Sequence, residues 1–159
     1  VQTGKMRRRK KVLESLDAFT RTEGANLRFV LAGILDDEVR DEAMKRIGAD
    51  ARISFAGWKT SEQLKDLLCA ADVYVQPGTQ SATMQMSLCA RCPVVLDDVL
   101  SHRPFVDGNG WLVRDGNELK SAFAQIRDQP EVLGRMSGRS HEIAQRMLDY
   151  RSLAARILR

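Results

Sequence analysis

The sequence predicts an α/β fold: a three-layer arrangement in which a parallel sheet carries helices on both faces. Three observations predict it. Short apolar strands alternate with helix-spaced segments along the 159 residues, the pattern of a parallel sheet whose connections cross over through helices. Gly or Pro-Gly follows most of those strands, as turns at a sheet edge require. Hydrophobic residues make up 43% of the chain, which suits one domain with a core and argues against disorder.

Each element follows from local pattern. Val1–Thr3 reads as the end of a strand. Lys11–Thr22 places Val12, Leu13, Leu16 and Phe19 on one helical face. Leu27–Ala32 (LRFVLA) is a strand closed by Gly33, and Asp37–Ile47 is a helix with Asp36 and Asp37 at its start. Ile53–Ala56 (ISFA) is a strand closed by Gly57. Thr60 then begins TSEQLKDLLCAA, a capping-box sequence that opens a helix. Val73–Gln76 and Val94–Leu96 are strands flanking a helix over Ala82–Ala90, and Gly110–Val113 is the last strand. Helices over Glu118–Arg127, Glu131–Met147 and Tyr150–Leu158 complete the chain.

In open parallel sheets ligands bind outside the carboxyl ends of the strands, near the point where strand order reverses. The segments that follow the strands therefore hold the candidates. Gly4-Lys5, with Lys10 and Lys11, could converge on a diphosphate, or could belong to a solvated basic face that includes Arg7, Arg8 and Arg9. Gly33 and Gly57-Trp58 either line a site or make ordinary turns. Thr79, Gln80, Ser81, Ala82 and Thr83 precede a helix, where free amides and hydroxyls hold phosphate. A plain N-cap by Ser81 or Thr79 is the competing reading. His102 and Arg103 fall at the same edge. Asp36, Asp37, Asp97 and Asp98 never read Asp-x-Asp, so a hard-cation site is not indicated.

The bulk numbers exclude several classes. Lys and Arg number 25 against 21 Asp and Glu, a formal charge of +4, which permits an anionic ligand or membrane surface without demanding one. This moderate charge, and the lack of aromatics among Arg7–Lys11, weigh against nucleic acid. No apolar run approaches the ~20 residues of a membrane span, and VQTGKMRRRKK is no signal peptide. A start without Met on strand-like residues points to a piece of a longer protein. Cys89 and Cys92 form C-x-x-C, but no second pair exists, and His102 and His141 are not spaced to complete a zinc site. Buried, reduced thiols at Cys69, Cys89 and Cys92, as in a cytosolic protein, are the expectation.

The order and spacing of TGKMRRRKKVLESLDAF, LRFVLAG, ISFAGW, LKDLLCAADVYVQPG, CARCPVVL and GNGWLV resemble the C-terminal, donor-binding half of GT-B glycosyltransferases. The resemblance covers essentially the whole chain. It is closest to the retaining, bacterial group 1 enzymes of capsule, lipopolysaccharide and exopolysaccharide synthesis. It implies one Rossmann-like nucleotide-sugar-binding domain, residues 1–159, that follows an acceptor-binding half of the same chain. The implied donor is a UDP- or GDP-hexose, and the implied acceptor a saccharide or lipid-linked saccharide. The implied setting is the cytoplasm, with peripheral contact at the inner membrane face left open. No cofactor or metal is expected.

By this resemblance Gly4, Lys5 and Lys10 hold the donor diphosphate, with Lys5 where the family has Arg. Lysine keeps the charge and loses the bidentate fork. Ser81, Ala82 and Thr83 present amides and hydroxyls to the same group. Gly57 and Trp58 lie against the base, Gln85 and Met86 by the ribose, and Gly33, Thr79 and Gln80 near the donor. The family's pair of Glu, seven residues apart, is missing: Met86 stands for the second, and Gly78 or Ser81 for the first. No catalytic residue is assigned. Ala90-Arg91 replaces the family's Cys-Gly. The missing carboxylates motivate an alternative, a non-catalytic binding or scaffold domain of the same fold.

Overall fold

A computed structural model describes residues 1–157. The strands are β1 (Gln2–Met6), β2 (Phe29–Leu35), β3 (Ile53–Phe55), β4 (Tyr74–Gln76), β5 (Val94–Asp97) and β6 (Gly110–Val113). The helices are α1 (Val12–Thr20), α2 (Asp37–Ala49), α3 (Ser61–Cys69), α4 (Ala82–Cys89), α5 (Gly116–Asp128), α6 (Val132–Leu148) and α7 (Tyr150–Ile157). The expected end of the last helix, Leu158, lies outside the described residues.

All strand pairs are parallel. β1–β2–β3 form one three-stranded sheet and β4–β5–β6 another. The two are joined at their inner edges: the Val1 nitrogen donates to Val73 O (2.7 Å), and Val75 N–H donates to Val1 O (2.8 Å). The order across the molecule is thus 3-2-1-4-5-6, which reverses between β1 and β4. Alternation along the strands divides the core. Val75 and Val95 join Phe29, Leu31 and α1, α2 and α5 on one face. Tyr74, Val94 and Leu96 join α3, α4 and α6 on the other.

The structure corrects several boundaries. Gly4 and Lys5 lie inside β1 rather than after it, and Gly33 lies inside β2. The reason is register. Gly4 pairs with Gly33, and a Cβ on Gly33 would sit 2.0 Å from Gly4 O, so two side-chain-free positions let both strands run on. Gly57, in contrast, follows β3 in the left-handed region at φ 65°. The Thr60 capping box forms as the sequence implies: Gln63 N–H donates to Thr60 Oγ1 (3.3 Å) and Thr60 N–H to Gln63 Oε1 (3.1 Å). Arg91 retains a left-handed turn, φ 66°, where the family resemblance expects glycine.

The cysteines need a second correction. All three are free thiols, but only Cys92 is buried. Cys69 ends α3, and Cys89 lies on the outer stripe of α4 with Ala82, Gln85 and Met86, so both face a surface groove. No helix among the described residues is long and apolar enough to cross a membrane.

Candidate functional site

The loops after β1 and β4 meet where strand order reverses. Residues 8–10 form a single 3-10 turn, and Lys11 enters α1 in the left-handed conformation, φ 52°. This turn lies against Gly78. A Cβ on Gly78 would stand 2.4 Å from Arg9 O and 2.6 Å from Lys10 Cα. Thr79 N–H donates to Arg9 O (3.1 Å). Lys10 Nζ in turn donates to Thr79 O (2.5 Å) and Gln80 O (3.1 Å). Two of the three ammonium protons are thereby used among the described residues. Burial, and next the Arg9 charge, lower the Lys10 pKa from its ordinary value. A partly desolvated cation of this kind gains more from an incoming anion than a solvated one.

α4 begins at this junction. The amides of a helix's first turn have no carbonyl four residues back to bond; Met84 N–H is taken by Ser81 O (3.2 Å), and the turn carries the positive end of the helix dipole. Ser81 is the N-cap, its Oγ accepting from Met84 N–H (3.3 Å). Thr83 stands beside Gly4, where an added Cβ would find Thr83 Oγ1 as its near neighbour at 3.9 Å. Gly4, Lys10, Thr79, Gln80, Ser81, Ala82 and Thr83 are therefore gathered at one point.

Lys5 is directed elsewhere. Its ammonium pairs with Asp36 (3.3 Å), which also accepts from Arg7 Nε (3.1 Å). Hydrogen bonding from Lys5, then from Arg7, holds the Asp36 carboxyl below its ordinary range. Asp36 occupies the N-cap position of α2 but makes no side-chain cap bond, because its carboxylate serves these cations. Lys11 pairs with Asp97 at the end of β5 (3.0 Å). Arg103 pairs with Asp98 (2.8 Å). His102 is fully buried, its Nδ1 bonded to Asp97 O (3.1 Å). That carbonyl only accepts, so Nδ1 carries the proton.

Gly33 and Gly57 meet directly, Gly33 N–H donating to Gly57 O (2.8 Å). With Trp58, Ile34, Leu35, Arg40, Met44 and Phe55 they line a cavity of about 410 Å³ at the carboxyl ends of β2 and β3. Trp58 is 69% exposed, and Ile34 and Met44 are exposed beside it. Gln85 and Met86 line a different hollow of about 600 Å³, between α3, α4 and Leu148 and Leu153 at the end of the chain. Ala82 belongs to this hollow and to the Lys10 junction alike. A further cavity of about 430 Å³ lies at the opposite sheet edge, lined by Val1, Asn26–Val30 and Ala70–Val73 among others.

Sequence reasoning missed three contributors. Asp36 was read only as a helix start. Gly78 was read as part of a turn and as one place for the family's absent first Glu, not as the contact between the two loops. Gln76 was read only as a strand residue, yet it is 1% exposed and bonds Tyr74, Thr79 and Ser81. A polar residue ending an otherwise apolar strand, as in VYVQP, is the signal that could have found it.

The family described as "Glycosyl transferases group 1" matches residues 1–129. No curated protein matches the sequence. Solved structures share the fold. Anabaena HepE in complex with UDP superposes at TM-score 0.82 with 17% identity, covering 99% of this chain and 47% of that one. Sucrose-phosphate synthase from Thermosynechococcus elongatus gives TM-score 0.82 and 18% identity over 98% of this chain and 43% of that one. The C-terminal domain of the group 1 glycosyl transferase LpcC from Francisella tularensis gives 0.81 and 16% over 92% and 84%. This chain spans just under half the length of the HepE structure, and its fold is the Rossmann-like half of a GT-B architecture.

Proposed function

The chain belongs to the glycosyl transferases group 1 family, and from that premise we propose that it is the donor-binding half of a glycosyltransferase. The donor is a nucleotide-diphosphate hexose such as a UDP- or GDP-sugar, and the acceptor a saccharide or lipid-linked saccharide in bacterial cell-surface polysaccharide synthesis. The chain's own part is to hold the nucleotide and stabilise the diphosphate as it leaves.

One observation carries this reading. Lys10 Nζ is fastened to Thr79 O and Gln80 O at the point where strand order reverses, beside the first turn of α4. Negative charge develops on the diphosphate as the glycosidic bond breaks. A fixed ammonium and oriented amides stabilise that charge without reorganising. In this proposal Lys10, the α4 amides and Thr83 supply the positive potential, and no metal is invoked. The base lies along the Gly33–Gly57–Trp58 cavity, with Gln85 and Met86 on the ribose side. Lys5 joins the site when an anion competes it away from Asp36. The partner surface is the acceptor-binding half of the same polypeptide.

Calorimetric titration of UDP, GDP and ADP into the folded chain tests the proposal. The expected result is binding of at least one diphosphate, weakened about tenfold or more in Lys10→Ala, as loss of a charged hydrogen bond implies. Absence of binding by all three would refute it. The absence of any Asp or Glu between Pro77 and Leu96 favours a second reading, a scaffold domain that binds nucleotide without transfer. Transfer by a protein that includes the acceptor half, abolished by Lys10→Ala, would eliminate that reading.

A further inference from the structure

The diphosphate reading gives no role to His102, a fully buried ionisable side chain on the loop after β5. Backbone bonds hold the residue in place: His102 N–H donates to Val99 O (2.9 Å), and its carbonyl accepts from Phe105 N–H (2.9 Å). The imidazole Nδ1–H donates to Asp97 O (3.1 Å). With that proton on Nδ1, Nε2 is a bare lone pair. Nε2 is buried and has no hydrogen-bond partner among the described residues. A buried polar atom left in this way costs stability. It is also the atom to which a second proton adds.

The same corner of the sheet edge holds the cations of the donor site. Lys11 Nζ pairs with the Asp97 carboxylate (3.0 Å), which ties the start of α1 to the residue whose carbonyl holds His102. Lys10, one residue earlier, is fastened to the loop after β4. On the loop of His102 itself, Asp98 and Arg103 pair with each other (2.8 Å). The charges that act on the imidazole are those of Asp97 and Lys10. Burial before all else lowers the His102 pKa from 6.5; the bond to Asp97 O and the Asp97 charge oppose that, and the Lys10 charge adds to it. The imidazole of the free protein is therefore neutral near pH 7. A diphosphate at Lys10 brings negative charge that offsets the ammonium. The repulsion that Lys10 exerts on a second proton at His102 is then cancelled or reversed, and burial keeps solvent from screening the change.

We propose that His102 is a positioning residue of the donor site that acts through Lys10: it takes up a proton as a nucleotide diphosphate reaches Lys10, and the imidazolium then adds to the positive charge that holds the diphosphate. The inference rests on the diphosphate reading above. The proton comes from solvent and adds to the Nε2 lone pair, and no bond in the chain breaks. The extra charge appears only with the anion, so the empty site does not carry the repulsion of two neighbouring cations. Coupling of this kind is reciprocal: the factor by which the diphosphate strengthens proton binding is the factor by which the proton strengthens diphosphate binding.

NMR titration of the imidazole signals of the isotope-labelled wild type, with and without nucleotide sugar, tests it. UDP-glucose and GDP-mannose are the probes, because a diphosphate diester has no proton of its own to exchange in this pH range. The chain has two histidines, so His141, on α6, is the internal control. With the probe bound, His102 should titrate about 0.5–1 unit higher, while His141 titrates alike in both states. The same shift makes the probe bind about threefold to tenfold more tightly as pH falls from 8 through the His102 titration. A purely structural role for His102 would produce neither effect. In His102→Gln the affinity should be flat over the same range. Lys10→Ala should weaken the probe and raise the His102 titration of the free protein. Should His102→Gln fail to fold, the wild-type imidazole titrations decide. A His102 titration that the bound probe leaves unmoved overturns the proposal and leaves the diphosphate reading standing. So does a pH-independent affinity in the wild type. If the wild type binds neither nucleotide sugar, both fall.

Discussion

Replacing Gly78 by Ala tests whether the two loops form one site. The added Cβ would lie 2.4 Å from Arg9 O, 2.6 Å from Lys10 Cα and 2.7 Å from Lys10 C. Ordinary carbon contacts sit near 3.5–4.0 Å, so the loops must separate by roughly 1 Å. All three crowding atoms are backbone, which cannot swing aside as a side-chain tip can. Overpacking of this size costs about 1–3 kcal/mol. The bond from Thr79 N–H to Arg9 O (3.1 Å) stretches with it and adds about 0.5–1.5 kcal/mol. A total near 2–3 kcal/mol lowers Tm by about 5–10 °C for a domain of this size. The same separation pulls Lys10 Nζ from Thr79 O and Gln80 O, so UDP affinity falls with stability. Gly138→Ala in α6 is the control, because its Cβ meets nothing within 4 Å. That change should stabilise by about 0.5–1 kcal/mol and leave binding alone. Thermal denaturation and UDP titration of both variants supply the numbers. A Gly78→Ala protein within about 2 °C of wild type, with unchanged UDP affinity, would refute the packing argument.

Three further outcomes follow from the geometry. Arg91→Gly relieves a left-handed residue worth about 1–2 kcal/mol and loses about 0.4–1 kcal/mol to unfolded-chain entropy. Tm should rise by about 1–4 °C, as scanning calorimetry can show. Asp36→Asn releases Lys5 and Arg7, so UDP binding tightens by roughly twofold to fivefold, most at low ionic strength, in calorimetric titrations at two salt concentrations. His102 has its pKa lowered from the ordinary 6.5, chiefly by burial, so the unfolded chain takes up this proton first. Its contribution to stability is complete above pH 6.5 and is lost as pH falls from there through the folded value. Urea midpoints of wild type measured downward from pH 7 should decline more steeply than those of His102→Gln.

Most of the architecture was legible because it rests on local pattern. The alternation in LRFVLA, ISFA and VYVQ marks strands, and the Thr60 capping box forms where the sequence writes it. Strand ends were less legible. Gly33 reads as punctuation, yet it lies inside β2 because Gly4 faces it from another strand, a pairing that no local window contains. The site divided along the same line. Lys10 reaches the β4–α4 loop, as its place after the first strand suggests. Lys5 does not, because Asp36, 31 positions away in sequence, pairs with its ammonium instead. Cys69 and Cys89 sit among apolar neighbours in sequence, but helical geometry turns them outward. Gln76 escaped notice because its three partners assemble only when β4, the loop and α4 fold together.

The most direct measurement is a map of backbone amide shifts as UDP is added to the isotope-labelled chain. The largest changes are expected at Gly4, Lys10, Gly57, Trp58 and Thr79 through Met86, and little change at Asn26–Val30 and Ala70–Val73, which line the cavity at the opposite sheet edge. Shifts confined to that opposite edge, with Lys10 and Thr79–Thr83 unmoved, would contradict the donor-site reading.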